Sequence, residues 1–312
     1  MPVLPNPDYL NHPRLKDVAA GVTDQTRQAA LEQFLPAFEK AFLDWTRFQR
    51  PDYAARPAGA EAAMAALQAD GVVLLRVPAD AKQRMVELAG PHLRTLEQKF
   101  AAMAGAKPKF RDMNVQLDRK PNAELYRVVE GALEQLRVPA MAEAYLRRPM
   151  KLKRLYVQLN NAWETEVRYG PIGEDGLPEL KTDYWHIDSD VWPNFKALIY
   201  LNEVGPRQGP MRYVKGSHRA CGDFETVVRK TNDSLRLPMP QFLALPDELR
   251  MHALFGPFLT GAEDGSRRLM ADETVLCGEG LDLVLFDNNG VHRGGFVREG
   301  ARHIIQCLFE AA

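Results

Sequence analysis

The chain changes character near residue 151, and this change limits the folds that it can adopt. Before it, apolar residues recur at helical spacing, most clearly over 26–47, 60–69, 79–104 and 122–144. After it, residues 153–160 alternate polar and apolar with a period of two, as a half-buried strand should. Further strand candidates are 196–201, 211–214, 281–286 and 302–309. Helices followed by strands, without βαβ alternation, predict an α+β protein with a mainly β core, an antiparallel sheet or barrel flanked by N-terminal helices.

The helical and strand patterns also suggest a division of the chain. Residues 1–60 are expected to form an N-terminal helical extension, and residues 61–312 the main domain, which is long enough to bury a substantial core. A short β-branched run at 72–77 predicts the buried opening strand of that domain. Residues 105–123, rich in Lys, Pro and Arg, predict a loop. The segment 219–275 is long, polar and Pro-containing, and connections of this length usually form lids or binding insertions.

Charge and cysteine usage narrow the class of protein and its partners. The 312 residues carry a formal net charge of −1 without a basic cluster, which argues against nucleic acid or an anionic membrane as a partner. No apolar run approaches the ~20 residues of a membrane helix, and the start has neither the basic nor the apolar region of a secretory signal. Cys221, Cys277 and Cys307 are odd in number and scattered, as free thiols of a reducing compartment are. We expect a cytoplasmic protein that binds small molecules.

One H-x-D pair and one remote histidine are the strongest indication of chemistry. His186 and Asp188 follow a predicted strand, and both should face inward while Ile187 faces outward, because residues i and i+2 of a strand share a face. Together with His292 they provide two imidazoles and a carboxylate, which fill one face of an octahedron in non-heme Fe(II) oxygenases. H-x-D alone is common by chance, so the strand context matters. Arg302, ten residues after His292, could pair with a dicarboxylate through its planar guanidinium.

Six stretches between about residues 60 and 310 carry a family resemblance. They are 70–75 (DGVVLL), 184–188 (YWHID), 194–204 (NFKALIYLNEV), 209–218 (GPMRYVKGSH), 280–287 (GLDLVLFD) and His292. Taken together they resemble the phytanoyl-CoA dioxygenase family. The resemblance implies a double-stranded β-helix, a jelly-roll or cupin-like barrel, with Fe(II) and 2-oxoglutarate in its mouth. By position it implies His186, Asp188 and His292 as iron ligands and Arg302 as the partner of the distal carboxylate of 2-oxoglutarate.

The chain departs from this pattern beside the arginine. Many relatives place a serine two residues after it to share the carboxylate, and here that position is Ile304. Another hydroxyl or amide must assist, and the candidates are Gln158, Asn160, Tyr156 and Tyr200. We expect Gln158 and Tyr200 to contact the co-substrate, with an ordinary structural role as the alternative for each.

These inferences predict a function and leave named alternatives. The favoured one is an Fe(II)- and 2-oxoglutarate-dependent dioxygenase that uses O2 to hydroxylate an unactivated C–H bond of a small metabolite (an amino acid or a natural-product intermediate), with release of succinate and CO2. The alternatives are a non-catalytic jelly-roll binding protein, an oxidative desaturase or cyclase on the same iron site, and a metal-dependent isomerase or hydrolase. Asp188 favours oxygenation over halogenation, because halogenases of this type carry a small residue there. The N-terminal helix could serve a homodimer contact or cover the domain's own back face.

Overall fold

The computed structural model describes residues 24–47, 52, 54–103, 110–162, 185–188, 194–219, 222–254, 271–278 and 280–312. Its helices are α1 (Gln25–Arg47), α2 (Glu61–Asp70), α3 (Ala79–Ala102), α4 (Phe110–Met113), α5 (Ala123–Gln135), α6 (Val138–Leu146), α7 (Asp223–Leu235) and α8 (Met239–Ala244). Its strands are β1 (Val72–Leu75), β2 (Asn114–Leu117), β3 (Met150–Asn161), β4 (Phe195–Tyr200), β5 (Met211–Val214), β6 (Glu273–Leu276), β7 (Leu283–Asp287), β8 (His292–Arg293) and β9 (Ala301–Ala311). None of these helices is long and apolar enough to cross a bilayer.

Within the described ranges the strands form two antiparallel sheets. The large sheet has the order β1-β7-β4-β9-β3-β2, and the small sheet has the order β6-β5-β8. His186 extends the small sheet by isolated antiparallel bridges to His292 and Leu254. The prediction of antiparallel sheets preceded by helices is therefore confirmed.

Alternation along the strands gives the large sheet two apolar faces. One face packs against the N-terminal helices through Ala197, Ile199, Leu285, Ile305 and Cys307. The opposite face, called the inner face below, packs against the small sheet. It contributes Leu198, Tyr200, Val284, Phe286 and Ile304 to a core that also contains Met211, Tyr213 and Leu276 of the small sheet. Burial on both faces explains why these strands are nearly continuous apolar runs in the sequence.

The helices that cover the large sheet each bury one apolar side. In α3 the buried residues Met85, Ala89, Leu93 and Leu96 recur every three or four positions, so they lie on one side of the helix. They join residues of α2, α5 and α6 in the core that covers the large sheet. Helix α1 packs elsewhere: its buried residues contact α7 and α8 rather than the large sheet.

The turn between α2 and β1 requires a glycine for two reasons. Gly71 adopts a φ of 81°, and its N–H caps the helix by donating to Leu67 O. A Cβ at this position would lie 2.4 Å from His218 Nδ1 and 2.5 Å from the Tyr213 hydroxyl oxygen. Gly71 therefore ends α2, and the close approach fixes β1 against the small sheet.

One prediction about local structure was wrong. The predicted loop 105–123 contains α4 and β2, a short edge strand that pairs with β3. The helical segment predicted at 122–144 is confirmed and consists of two helices, α5 and α6, because Pro139 in the first turn of α6 has no N–H to continue the preceding helix. The described part of 219–275 contains α7 and α8, whose amphipathic pattern is interrupted by buried polar residues.

The described cysteines are free thiols, as predicted. Cys307 is buried in the helix-facing core, where burial raises the pKa of its thiol, and Cys277 is partly buried. Cys221 lies outside the described residues. A buried thiol with a raised pKa is unreactive, so Cys307 is a packing residue.

Candidate metal centre

Three predicted ligands lie together. Among the described residues, His186, Asp188 and His292 form a group whose possible ligand atoms all lie within 4.8 Å of one another. The Oδ1 atom of Asp188 is 4.0 Å from His186 Nε2 and 3.9 Å from His292 Nε2. The two imidazole ring centroids are 4.4 Å apart. The arrangement is that of a small metal site with one carboxylate oxygen between two imidazole nitrogens.

The backbone brings these side chains to one face. His186 and His292 form an antiparallel pair in which each N–H donates to the other's carbonyl oxygen at 2.9 Å. The chain stays extended to Asp188, whose N–H donates to Asn288 O at 3.0 Å. Because side chains alternate along an extended chain, His186 and Asp188 point the same way.

Ile187 points to the opposite side, as the spacing predicts, but it is buried rather than exposed to solvent. It packs in a cluster with Trp185, Val291 and Ala253, and its own N–H donates to Ala253 O at 3.0 Å. The guanidinium of Arg293 lies 4.6 Å above the Trp185 ring, which covers this cluster. The segment that carries His186 and Asp188 is thus held by packing behind it as well as by hydrogen bonds.

A tight turn after β7 positions His292, the third candidate ligand. The buried Asp287 accepts hydrogen bonds from the Asn289 N–H at 2.8 Å and from Asn289 Nδ2 at 3.0 Å through one carboxylate oxygen. Its other oxygen accepts a hydrogen bond from the Tyr145 hydroxyl at 2.8 Å. Tyr145 lies on α6, so this bond joins the helical layer to the turn that positions His292.

Neighbouring groups orient the His292 ring. Its Nδ1 lies 2.8 Å from Gly290 O, and a ring N–H at Nδ1 that donates there puts the acceptor lone pair of the ring on Nε2, on the side of Asp188. The Tyr213 ring is nearly parallel to the imidazole, with centroids 6.3 Å apart, and the Phe286 ring lies 5.0 Å away. The tautomer and the ring plane suit metal ligation through Nε2.

Asp188 is held as a carboxylate although it is mostly shielded from solvent. Burial by itself raises the pKa of Asp188. The Lys196 ammonium and the two imidazoles lower this pKa by a larger amount, so the net pKa lies well below its ordinary value. Lys196 Nζ is 2.6 Å from Asp188 Oδ2, and their side chains are only 17% and 14% exposed. The sequence analysis missed Lys196. The sequence feature that could have identified it is a lysine at an inward position of a strand whose other inward residues, Leu198 and Tyr200, lie in the core.

The donor set fits a divalent metal ion. Metal–nitrogen and metal–oxygen bonds of such sites are about 2.0–2.2 Å long, so two ligands of one ion lie no more than about 4.4 Å apart. Both histidine–aspartate distances meet this limit. Imidazole and carboxylate ligands without thiolates suit Fe(II) among the transition metals.

Arg302 lies between the two sheets. It is 5% exposed, shares the inner face of the large sheet with Ile304, and donates from its guanidinium to Gly209 O. His303 lies on the opposite face, toward the helices, where burial lowers the pKa of its imidazole and Glu97 raises it less. Arg302 and His303, adjacent on β9, therefore face opposite sides of the large sheet.

The other two predicted co-substrate contacts are engaged within the protein. Gln158 is buried, and its Nε2 donates to Asn160 Oδ1 at 2.9 Å. The Tyr200 hydroxyl donates to Leu276 O at 3.1 Å and accepts the Met211 N–H at 3.0 Å, which joins the two sheets. Burial raises the pKa of Tyr200, so the hydroxyl stays protonated. A role for either residue in co-substrate binding stays a prediction.

Comparison with known proteins gives structural similarities only. No family model matches the sequence, and no curated protein matches it. The similar solved structures include EctD from S. alaskensis in its apoform, at 16% identity and a TM-score of 0.49 over 85% of this chain and 81% of that one. AviO1 from Streptomyces viridochromogenes Tue57 has 19% identity and a TM-score of 0.45 over 83% of this chain and 97% of that one.

A third similar structure is the epimerase SnoN in complex with Fe3+, alpha ketoglutarate and nogalamycin RO. It has 18% identity and a TM-score of 0.48 over 82% of this chain and 85% of that one. Another structure of EctD from S. alaskensis contains bound Fe. At these identities and TM-scores, what those proteins bind does not transfer to this chain.

We expect the Gly290→Ala variant to be less stable and to bind metal more weakly. A Cβ there would lie 1.6 Å from the Tyr213 hydroxyl oxygen, which donates to Asp287 O at 3.0 Å. Moving Tyr213 would break this hydrogen bond and displace the ring beside His292, at a cost of about 1–3 kcal/mol in the free energy of unfolding. Urea denaturation measures the loss.

Gly131→Ala is the matched control for this substitution. Gly131 lies inside α5, and a Cβ there would meet nothing within 4 Å. Alanine is the better helix former, so this variant should gain about 0.5–1 kcal/mol. Equal stability of the Gly290→Ala variant and the unmodified protein would contradict the packing role assigned to Gly290.

Proposed function

We propose that this chain is an Fe(II)- and 2-oxoglutarate-dependent dioxygenase. One observation carries the proposal: His186, Asp188 and His292, from two distant segments, converge as two imidazole nitrogens and one carboxylate oxygen. Three protein ligands on one side of an octahedral ion leave three positions for other ligands. A 2-oxo acid that binds through two oxygens and a molecule of O2 would fill those positions.

The proposed roles divide between the metal and the chain. Bound iron would supply the activation of O2, coupled to decarboxylation of 2-oxoglutarate. The chain would hold the ion, and Arg302 would pair with the distal carboxylate of 2-oxoglutarate. Burial of Arg302 between the sheets, on the same inner face as Lys196 and Tyr200, supports this role. Gln158 and Tyr200 are proposed to line the same end of the co-substrate, and the apolar core around Phe286 would limit access of water.

The proposed fold family is the double-stranded β-helix of the phytanoyl-CoA dioxygenase family. Two antiparallel sheets share one apolar core, and His186, a proposed metal ligand, extends the small sheet. Both features suit a jelly roll formed by residues 61–312. In this reading α1 belongs to the extension 1–60, and α7 and α8 belong to the insertion 219–275, on which α1 packs.

The proposed substrate is a small polar metabolite, such as an amino acid or a natural-product intermediate. Residues paired directly across neighbouring strands share a face, and the pairing of β2, β3 and β9 therefore places uncharged polar side chains on the inner face. They are Asn114, Gln116, Tyr156, Gln158, Asn160 and Gln306. Such a surface offers hydrogen bonds to a compact polar molecule and little apolar area to a long acyl chain.

Hydroxylation is the proposed outcome, and desaturation or cyclisation on the same site is the alternative. A succinate-release screen with Fe(II), 2-oxoglutarate and a metabolite library tests the class and finds the substrate. We expect one compound to stimulate succinate formation with matching O2 consumption. Turnover of a substrate without O2 would indicate a metal-dependent isomerase or hydrolase instead. Metal and 2-oxoglutarate binding with no turnover across the library would favour the non-catalytic binding protein.

The presence of Asp188 leads to a prediction about halide. Its carboxylate occupies the third protein ligand position, so the proposed site has no vacancy for chloride next to the co-substrate and O2. We expect turnover in chloride buffer to give oxygenated product and no chlorinated product, as measured by mass spectrometry. The same reaction in chloride-free buffer is the control, and a chlorinated product from the unmodified enzyme would contradict the assignment of Asp188.

A further inference from the structure

The two carboxylate oxygens of Asp188 have different partners. Oδ1 lies 3.9 Å and 4.0 Å from the Nε2 atoms of His292 and His186, between the two possible nitrogen ligands. Oδ2, the other oxygen of the carboxylate, forms an ion pair with Lys196 Nζ at 2.6 Å. Both side chains are mostly shielded from water, so this ion pair is less screened than one on the surface.

We propose that Lys196 is a positioning residue that keeps Asp188 a one-oxygen ligand of the metal. A carboxylate can bind a metal ion through one oxygen or through both. With both oxygens bound, Asp188 would occupy two positions, and only two would be left on an octahedral ion. Those two could hold a chelating 2-oxo acid or O2, but not both. The inference deepens the proposed function and depends on it only for the identity of the outside ligands.

The strand register explains why Lys196 is available for this task. Lys196 is the second residue of β4, where it pairs with Phe286 on one side and Leu308 on the other. The alternation that puts Leu198 and Tyr200 into the core between the sheets also directs Lys196 toward that interior. A strand residue is held more rigidly than a loop residue, so the ammonium is fixed relative to the segment that carries Asp188.

The charge of Lys196 has a second consequence for outside ligands. In the metal-loaded site the lysine would offset the charge of Asp188, so the charge of a divalent ion would remain uncompensated by protein groups. A buried positive charge of this size favours an anionic chelating ligand over a neutral one. Lys196 would therefore favour the chelating carboxylate of a 2-oxo acid through charge as well as through the number of open positions.

The test compares Lys196→Met with Lys196→Arg, with Co(II) as a visible spectroscopic probe. Methionine keeps the length of the side chain without its charge, and arginine keeps the charge and the donors. We expect the Met variant to retain Co(II) affinity, since Asp188 can then hold the ion with both oxygens and carries more unbalanced negative charge. Its Co(II) absorption spectrum should change, and its affinity for 2-oxoglutarate should fall at least ~10-fold. The Arg variant should resemble the unmodified protein in both respects.

Each other outcome has a defined meaning. An unchanged spectrum and unchanged 2-oxoglutarate affinity in Lys196→Met would overturn the proposal. Loss of Co(II) binding together with a lower unfolding midpoint would also overturn it, because Lys196 would then be a structural residue only. If the unmodified protein binds Co(II) but not 2-oxoglutarate, the proposed function fails while the spectral comparison still decides the role of Lys196. Failure of the unmodified protein to bind Co(II) would overturn both.

Discussion

The His186→Ala variant should lose all 2-oxoglutarate decarboxylation coupled to substrate. His186 is one of three proposed metal ligands, and its removal would leave one imidazole and one carboxylate to hold the ion. The loss should exceed the ~10–100-fold that removal of an outer-shell partner of a metal ligand costs. Succinate release with the stimulating substrate measures activity, and Co(II) titration measures metal binding separately.

The fold should survive this substitution, which makes the result interpretable. The pair between residues 186 and 292 is made by backbone groups, and the ion pair of Asp188 with Lys196 does not involve the imidazole. Circular dichroism and urea denaturation should therefore show a folded variant. Full activity in folded His186→Ala protein would remove His186 from the ligand set.

The Arg302→Ala variant should mainly lose affinity for 2-oxoglutarate. Arg302 is buried, and loss of a charged bidentate contact in a shielded site costs about 2–4 kcal/mol. This corresponds to a rise of about 30- to 900-fold in the dissociation constant of 2-oxoglutarate. Metal affinity should stay within a few-fold of the unmodified protein, because Arg302 is not a ligand. Anaerobic titration of the metal-loaded protein with 2-oxoglutarate measures the change.

Two further variants separate the charge of Arg302 from its packing. Truncation to alanine also leaves a cavity and removes the hydrogen bond to Gly209 O, so some loss of stability is expected. Arg302→Lys keeps the charge without the planar fork and should recover only part of the affinity. His303→Ala changes the neighbouring residue on the opposite face of β9 and should leave 2-oxoglutarate affinity unaltered. If both Arg302 variants bind 2-oxoglutarate with unchanged affinity, another residue must bind its distal carboxylate.

The parts of the fold that the sequence predicted are those encoded by local periodicity. The strand predicted at 211–214 is observed as β5 with the same bounds, and the alternation over 153–160 lies within β3. Strand β8 has two residues and β2 has four, which is too short for a periodic pattern to stand out, and both are defined by pairing with strands distant in sequence. The packing of α1 on α7 likewise depends on contacts that no local window contains.

In the candidate site, too, some features are evident from local sequence and others depend on contacts between distant residues. The residue types and the spacing of His186 and Asp188 indicated a metal site, and His292 followed from the same pattern. Lys196 was missed, because its contact with Asp188 depends on how β4 lies against the ligand segment. The hydrogen bond between Tyr145, on a helix, and Asp287, in a turn, was also missed, because no spacing in the sequence relates the two residues.

Anaerobic titration of the protein with Fe(II) and then with 2-oxoglutarate tests the central claim most directly. We expect one ferrous ion per chain and, on addition of 2-oxoglutarate, the visible charge-transfer band of a chelated 2-oxo acid. The band should be absent from His186→Ala and present in His303→Ala. Failure of the unmodified protein to bind iron, or a band of full intensity in His186→Ala, would contradict a shared iron site at His186, Asp188 and His292.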